Sequence, residues 1–226
     1  HHDCRCFLPI HVYHVRTGKP VVVFVRAGKT PKGTEVATVL EHLAAQTVAP
    51  DEVIVVDQSA RDHRRDVAAE APPGLALRVL TSEVAGQCTA RNLALDAATG
   101  DLLLFLDDDD ELPPDLIQRH LARLAQTGAD ANCGIALEPG ETDLDPAFRR
   151  FRQSDVFPTN NTLLRREALA SSGLFDLAFD RGERADHDLG MRLYLSGRRL
   201  VLDPDAEVLH HHAPRGGLRS HAARVS

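Results

Sequence analysis

The chain has 226 residues, 43% of them hydrophobic and 26% charged, and carries a net charge of −7 with His neutral. That length is one domain, or at most one and a half, with enough apolar material for a sizeable core, so intrinsic disorder is excluded. A general nucleic-acid-binding surface is excluded by the acidic balance, and no apolar run approaches the roughly 18–20 residues of a membrane-spanning helix.

In chain order, PVVVFV reads as a first strand by its β-branched run. Glu35 to Gln46 places Val36, Val39, Leu40, Leu43 and Ala44 on one helical stripe. EVIVVD is a second strand and LALRVL a third. Thr89 to Ala98 predicts a helix closed by Gly100, and DLLLFLD a fourth strand. Pro113 and Pro114 open a helix through Leu116, Ile117, Leu121 and Leu124. ANCGIAL is a strand. Glu138 to Asp155, with its Gly, Pro and charges, reads as a loop region and the best boundary. TNNTLLRREAL is a strand entering a short helix. Arg184 to Ser196 is a helix stopped by Gly197, and RLVLDP and AEVLHHH are two short strands. Fully apolar strands separated by helices predict a parallel sheet covered on both faces.

In such a sheet, ligands bind beyond the carboxyl ends of the strands. Two strands end in acids there: Asp57 after VIVV, and Asp107-Asp108-Asp109-Asp110 after LLLFL. Four consecutive carboxylates repel one another, and a divalent cation bound through oxygen is a natural counterweight. A solvated acidic turn before a helix is the alternative. In the helix from Arg184, Asp186 shares the apolar stripe with Leu189 and Leu193. Asp188 lies about 200° around the helix and has Arg192 at i+4 as an ion-pair partner. Asp186 also lies near the helix N-terminus, where the dipole favours a carboxylate.

VVDQSARD, GQCTARNLALDAATGDLLLFLDDDD with LPPDL, NTLLRREAL, GLFD and RADHDLGMRL together resemble the family 2 glycosyltransferases of the GT-A fold, over about Val21 to His212. The resemblance implies an α/β fold. It has a Rossmann-like, mostly parallel central sheet flanked by helices and a smaller acceptor-side subregion. It implies one domain over 1–226, with a nucleotide-sugar-binding half at about 20–110 and an acceptor-binding, catalytic half at about 111–212. It further implies an inverting, metal-dependent transfer from a nucleotide-diphosphate-sugar donor to an acceptor hydroxyl. Asp57 then contacts the nucleotide base, with Gln58 standing where the family usually has a second acid. Asp107 and Asp109 form the DxD metal pair for Mn²⁺ or Mg²⁺, with Asp108 between them on the donor. Arg91 offers charge to the diphosphate, and Asp186 matches the general base in the family's Glu-Asp-x-Asp-Leu pattern. There Ala185 replaces the Glu, with Glu183 a substitute for the missing charge.

A C-terminal His completes the metal shell in some such enzymes. His210 and His212 share one face of the last strand, and His212 is slightly favoured. Arg26 or Lys29 either reaches a phosphate or is simply exposed. Asn160 and Asn161 match a stretch lining the acceptor side, although asparagines in a loop are more often turn formers. A nucleotidyltransferase of related fold and an inactive sugar-nucleotide-binding module are the alternatives. The first echoes only faintly in Arg26 to Thr30, and the retained acids weigh against the second. The acceptor is expected to be a small molecule, a lipid-linked group or a protein side chain. Aromatics at 4%, without Trp, do not suit a long polysaccharide groove.

Four scattered cysteines, Cys4, Cys6, Cys88 and Cys133, and a start without an apolar h-region predict a reduced, cytoplasmic protein. Cys88 and Cys133 read as ordinary buried thiols, and His1, His2, Cys4 and Cys6 as a frayed end or tag remnant. Lys19, Lys29 and Lys32 are the only lysines among 26 basic residues, which with the abundant Ala and Arg points to a bacterial genome rich in G and C.

Overall fold

A computed structural model describes residues 10–11, 21–24, 34–58, 64–140, 149–154, 157–180 and 184–211. The elements are β1 (Ile10–His11), β2 (Val21–Phe24), α1 (Thr34–Ala44), β3 (Val53–Asp57), α2 (Arg64–Glu70), β4 (Leu77–Thr81), α3 (Gln87–Ala97), β5 (Leu102–Leu106) and β6 (Asp110–Glu111). There follow α4 (Leu116–Thr127), β7 (Ala131–Leu137), β8 (Arg152–Ser154), β9 (Asn161–Arg165), α5 (Leu169–Ser172), α6 (Ala185–Leu195) and β10 (Leu200–His210). Helix α2 was not expected, because RRDVAAE presents one apolar residue, Val67, to the body.

The strands join one sheet. Its first half, β4-β3-β2-β5, is parallel throughout, as the apolar runs predict. Every residue of β3 and β5 is buried. The two-residue β1 runs antiparallel to β3. The second half is mixed. β9 lies antiparallel between β5 and β7, β10 is parallel to β7, and β6 and β8 run antiparallel to β10. Helix α3 packs on β3, and α4 on β7 and β10. Val36, Val39, Leu40 and Leu43 of α1 are all buried, on the stripe the sequence shows. The three rings of Phe105, Phe157 and Phe175 meet edge to face, with centroids 5.3–6.4 Å apart. They tie β5 to the two segments that precede β9 and α6.

The last two expected strands are one. Asp203-Pro204-Asp205 interrupts β10 without ending it, and the pairing with β7 shifts between Leu202 and Glu207. A bulge of this kind bends a strand and re-aims the residues beyond it. Buried side chains hold it. Asn161 donates from Nδ2 to Ile135 O at 3.0 Å and Ala206 O at 2.8 Å. Its Oδ1 meets His120 Nε2 at 2.8 Å, and His120 Nδ1 meets Asn132 Nδ2 at 3.0 Å. Arg123 grips Asp203 at 2.8 and 3.0 Å. Gly134 makes room: a Cβ there would lie 2.2 Å from Ala206 O and 2.3 Å from Asn161 Nδ2. Asn161, expected toward an acceptor, is therefore a fully buried structural residue.

Candidate active site

The candidate residues stand where β3 and β5 end. Asp57 closes β3, is buried, and accepts Ser82 N–H on its backbone oxygen at 3.0 Å. Gln58, also buried, turns its amide onto the loop before α3. Nε2 donates to Val84 O at 2.7 Å and Gly86 O at 3.1 Å, and Oε1 accepts Gly86 N–H at 3.3 Å. That geometry demands a group that donates and accepts together, so the amide cannot be exchanged for a carboxylate without loss. Gln58 shapes the wall beside Asp57 through these three bonds.

Beyond β5 the four acids alternate in exposure. Asp108 and Asp110 point inward and are buried, while Asp107 and Asp109 are half-buried at the opening. Asp110 folds the turn by accepting Asp107 N–H at 2.8 Å. It also receives His210 Nδ1 at 2.7 Å, in register because β6 and β10 pair His210 with Asp110. Burial pushes the Asp110 carboxyl up to about 7, against the pull of His210. For His210, burial works downward, but the bond to Asp110 and the charges of Asp110, Asp107 and Asp109 outweigh it and carry the imidazole to about 9. The pair thus keeps a proton at neutral pH and offsets part of the carboxylate repulsion.

Ligand atoms of Asp107, Asp109 and His210 lie within 4.8 Å of one another, a group that could hold a metal ion. The expected Asp pair is brought together, and the histidine that joins it is His210. His212, Glu183, Arg26, Lys29 and the residues before Ile10 lie outside the described residues.

Arg91, on α3, is 4% exposed. Nη1 donates to Gln87 Oε1 at 3.0 Å and Nη2 to Thr159 Oγ1 at 2.9 Å, and the guanidinium stands 5.3 Å from the Phe175 ring centroid. Its buried Nε has no hydrogen-bond partner. Burial draws its pKa down, and the charges of Asp107, Asp186 and Asp180 oppose that, together with Cys88. One buried cation is thus felt by a carboxylate of the acidic turn and by a carboxylate of α6.

Asp186 is on the first turn of α6, behind Arg184 at φ 79. Ala185, Leu189, Gly190 and Leu193 form the buried face. Asp186 is one-third exposed where that face runs out at the helix end, and its Oδ1 meets His187 Nδ1 at 3.1 Å. Asp188 is committed elsewhere, as the spacing predicts. Arg192 donates to it from Nε at 2.9 Å and Nη2 at 2.6 Å, and binds Leu174 O at 3.0 Å and Ser172 O. Cys88 and Cys133 are buried free thiols, both pushed up to about 12, chiefly by burial.

The sequence offers His210 and His212 on one face and slightly favours His212, and it gives no sign of the roles of Asp110, Thr159 or Asp180. The period-2 face of the last strand held the only signal for His210. Its register against a two-residue β6, a hundred positions away, is not written in any local pattern.

The model of "Glycosyl transferase family 2" matches residues 32–173. The succinoglycan biosynthesis protein ExoM of Rhizobium meliloti (strain 1021) is 30% identical over 200 residues, covering 79% of this chain and 63% of ExoM. The putative glycosyltransferase EpsH of Bacillus subtilis (strain 168) is 31% identical over 110 residues, 48% of this chain and 32% of EpsH. Among solved structures, S. aureus TarS 1-349 in complex with UDP-GlcNAc aligns with a TM-score of 0.67 at 21% identity, over 85% of this chain and 59% of that one. The mannosyltransferase PcManGT from Pyrobaculum calidifontis, in complex with GDP-Man and Mn²⁺, aligns with a TM-score of 0.66 at 22% identity, over 87% and 58%. The structural likenesses speak to the GT-A fold. The chain spans less than two thirds of the length of each of these proteins. Among the described residues no helix is long and apolar enough to cross a membrane.

Proposed function

The chain belongs to glycosyl transferase family 2 and is a glycosyltransferase, and from that premise we propose that it is an inverting, metal-dependent enzyme acting on a nucleotide-diphosphate sugar. The observation that carries the reading is the group of Asp107, Asp109 and His210, whose ligand atoms lie within 4.8 Å of one another at the turn after β5. In this reading the acidic turn serves the donor diphosphate, and Asp186 on the first turn of α6 serves the acceptor hydroxyl.

Two carboxylates and an imidazole suit Mn²⁺ or Mg²⁺ with room for phosphate oxygens. Asp107, Asp109 and His210 would hold the ion, whose binding would displace the proton that His210 otherwise shares with Asp110. When bound, such an ion offsets the charge that develops on the departing diphosphate. The Mn²⁺ and the UDP-GlcNAc and GDP-Man donors of the structural neighbours support the assignment.

The chain's own residues do the rest. Asp57 and the loop that Gln58 holds form the wall for the base. Arg91 presents a buried positive charge beside the acidic turn, where it stabilises negative charge in a low-dielectric setting. Asp186, held by no arginine or lysine of the described residues, takes the proton of the acceptor hydroxyl as that oxygen attacks the anomeric carbon opposite the diphosphate. The test is incubation with UDP-glucose, UDP-GlcNAc, UDP-galactose and GDP-mannose in Mn²⁺, Mg²⁺ or EDTA, with detection of free nucleoside diphosphate. Release that requires the metal, with inversion at the anomeric carbon by NMR, fits the proposal. Release undiminished by EDTA, or retention, contradicts it.

A further inference from the structure

Helix α3 holds not only Arg91 but also Phe175, Phe179 and Asp180, which precede α6 in the chain. Asn92 binds the Phe175 backbone in both directions, accepting N–H at 3.0 Å and donating to the carbonyl at 2.8 Å. Gln87 Nε2 reaches Phe179 O at 3.5 Å. The last contact is a carboxylate: Asp180 Oδ1 accepts Thr89 N–H at 2.8 Å, and Oδ2 accepts the Thr89 hydroxyl. The first N–H groups of a helix have no partner within it, and the N-cap residue of α3 is Gly86, which has no side chain to offer. Asp180 therefore supplies the missing cap from 91 positions away, at the end of the helix that favours negative charge.

Gly86 is shaped for that visit. A Cβ there would lie 2.3 Å from Asp180 Cγ and 2.5 Å from each carboxylate oxygen. Its φ of 167 is extended backbone open to any residue, so the glycine is required by space and not by conformation. On the other side of Asp186, the Asp188–Arg192 pair is clamped to the carbonyls of Ser172 and Leu174. Asp186 is thus bracketed by an anchor six residues before it and another two residues after it. Between the anchors, Arg184 adopts φ 79, a left-handed conformation that a non-glycine residue keeps only when its surroundings impose it.

We infer that the Asp180–Thr89 latch, with the space Gly86 leaves for it, is a positioning device that fixes Asp186 against the donor-side helix α3. The inference rests on the reading of Asp186 as the base. A general base must stand within hydrogen-bond reach of the proton it takes, and a displacement of about 1 Å can lower the rate by roughly a hundredfold. Losing the latch should therefore lower turnover and leave nucleotide binding, which Asp57 and the acidic turn provide, nearly unchanged.

The test uses Asp180→Ala, Asp180→Asn, Gly86→Ala, the Gly86→Ala/Asp180→Ala double variant, and Asp186→Asn as control. Turnover is release of nucleoside diphosphate from whichever UDP- or GDP-sugar wild type uses best. Binding is titration with UDP or GDP in Mn²⁺, and amide hydrogen exchange is followed over α6. Asp180→Ala should lower kcat about ten- to a hundredfold, with nucleotide Kd changed less than about twofold, and Gly86→Ala, whose backbone also holds Gln58, should lower kcat by a similar factor. Exchange should rise in the first turn of α6. Asp180→Asn should restore most of the rate, because an amide can accept Thr89 N–H and donate to its hydroxyl. The double variant should match Asp180→Ala alone, since the clash that Gly86→Ala creates needs the carboxylate. Additive losses, or a lower melting temperature with kcat unchanged while Asp186→Asn is slow, overturn the latch. If Asp186→Asn itself turns over normally, the base assignment fails instead, and exchange in α6 alone then decides the latch: faster exchange supports it and unchanged exchange overturns it.

Discussion

His120 gives the most quantitative expectation, because its partners fix its tautomer. Asn161 commits Nδ2 to two carbonyls, so its Oδ1 must accept, and His120 Nε2 must carry the proton. His120 Nδ1 then accepts from Asn132 Nδ2. Protonating Nδ1 would set two donors face to face in a fully buried site. Burial accordingly lowers the His120 pKa from 6.5 to about 4. The folded state binds its proton later than the unfolded chain, so the contribution of His120 is complete above pH 6.5 and is lost as pH falls toward 4. One pH unit of linkage is about 1.4 kcal/mol, which gives a loss of about 2 kcal/mol at pH 5 and about 3 kcal/mol at pH 4. His120→Gln keeps a donor for Asn161 and removes the titration. It should be less stable than wild type by roughly 1–3 kcal/mol at pH 7, for the broken Asn132 bond. Because only wild type pays the proton penalty, the gap should narrow by about 2 kcal/mol between pH 7 and pH 5. Urea melts of both proteins at pH 7, 6 and 5, with equal m-values, measure it. A gap that stays constant across that range would refute the assignment of a neutral, doubly bonded imidazole.

Three further outcomes are expected. Gly134→Ala forces a methyl into Ala206 O and Asn161, and should lower stability by about 1–3 kcal/mol in urea melts; an unchanged midpoint would show that the β10 bulge does not depend on this contact. Gln58→Glu sets a buried carboxylate against the carbonyls of Val84 and Gly86, and should lower stability by at least about 1–3 kcal/mol and weaken UDP or GDP binding measured by calorimetry; tighter nucleotide binding would show that an acid at this position reads the base directly. Asp109→Asn and His210→Ala should each remove most of the difference in nucleoside-diphosphate affinity between Mn²⁺ and EDTA, whereas His211→Ala, whose exposed ring meets Glu111, should not; equal losses in all three would displace the ion from this site.

The elements with a strong local signature were legible. The β-branched and leucine runs of β2, β3 and β5, the stripe of α1 and the i+4 partner of Asp188 follow from periodicity, and Asp57 and the acidic turn follow from standing at strand ends. What escaped was decided by contacts between distant positions. β10 reads as two strands because Pro204 lacks a ladder donor, yet Asn161, His120 and Arg123 hold the chain across the break. Asn161 carries no mark of its buried role in a sequence where asparagines more often form turns. Gln58 stands at the end of β3, and its bonds to the loop at Val84 and Gly86 are not written in any local pattern. Asp186 lies on the apolar stripe by phase, but the buried face runs out at the helix end, so its side chain is one-third exposed and not enclosed.

The central claim is that Asp186 takes the proton, and paired asparagine variants of α6 test it most directly. Asp186→Asn and Asp188→Asn are compared by turnover on the best UDP- or GDP-sugar, beside titration with the corresponding nucleoside diphosphate in Mn²⁺. A positioned general base is worth about 10²–10⁴ in rate. Asp186→Asn should therefore lower kcat by about that factor with nucleotide affinity changed less than about threefold, the pattern of a group that acts in the transition state. Asp188→Asn keeps an oxygen for Arg192, whose bonds to the Ser172 and Leu174 carbonyls remain, and should do much less. Greater damage from Asp188→Asn, or normal turnover by Asp186→Asn, would contradict the assignment.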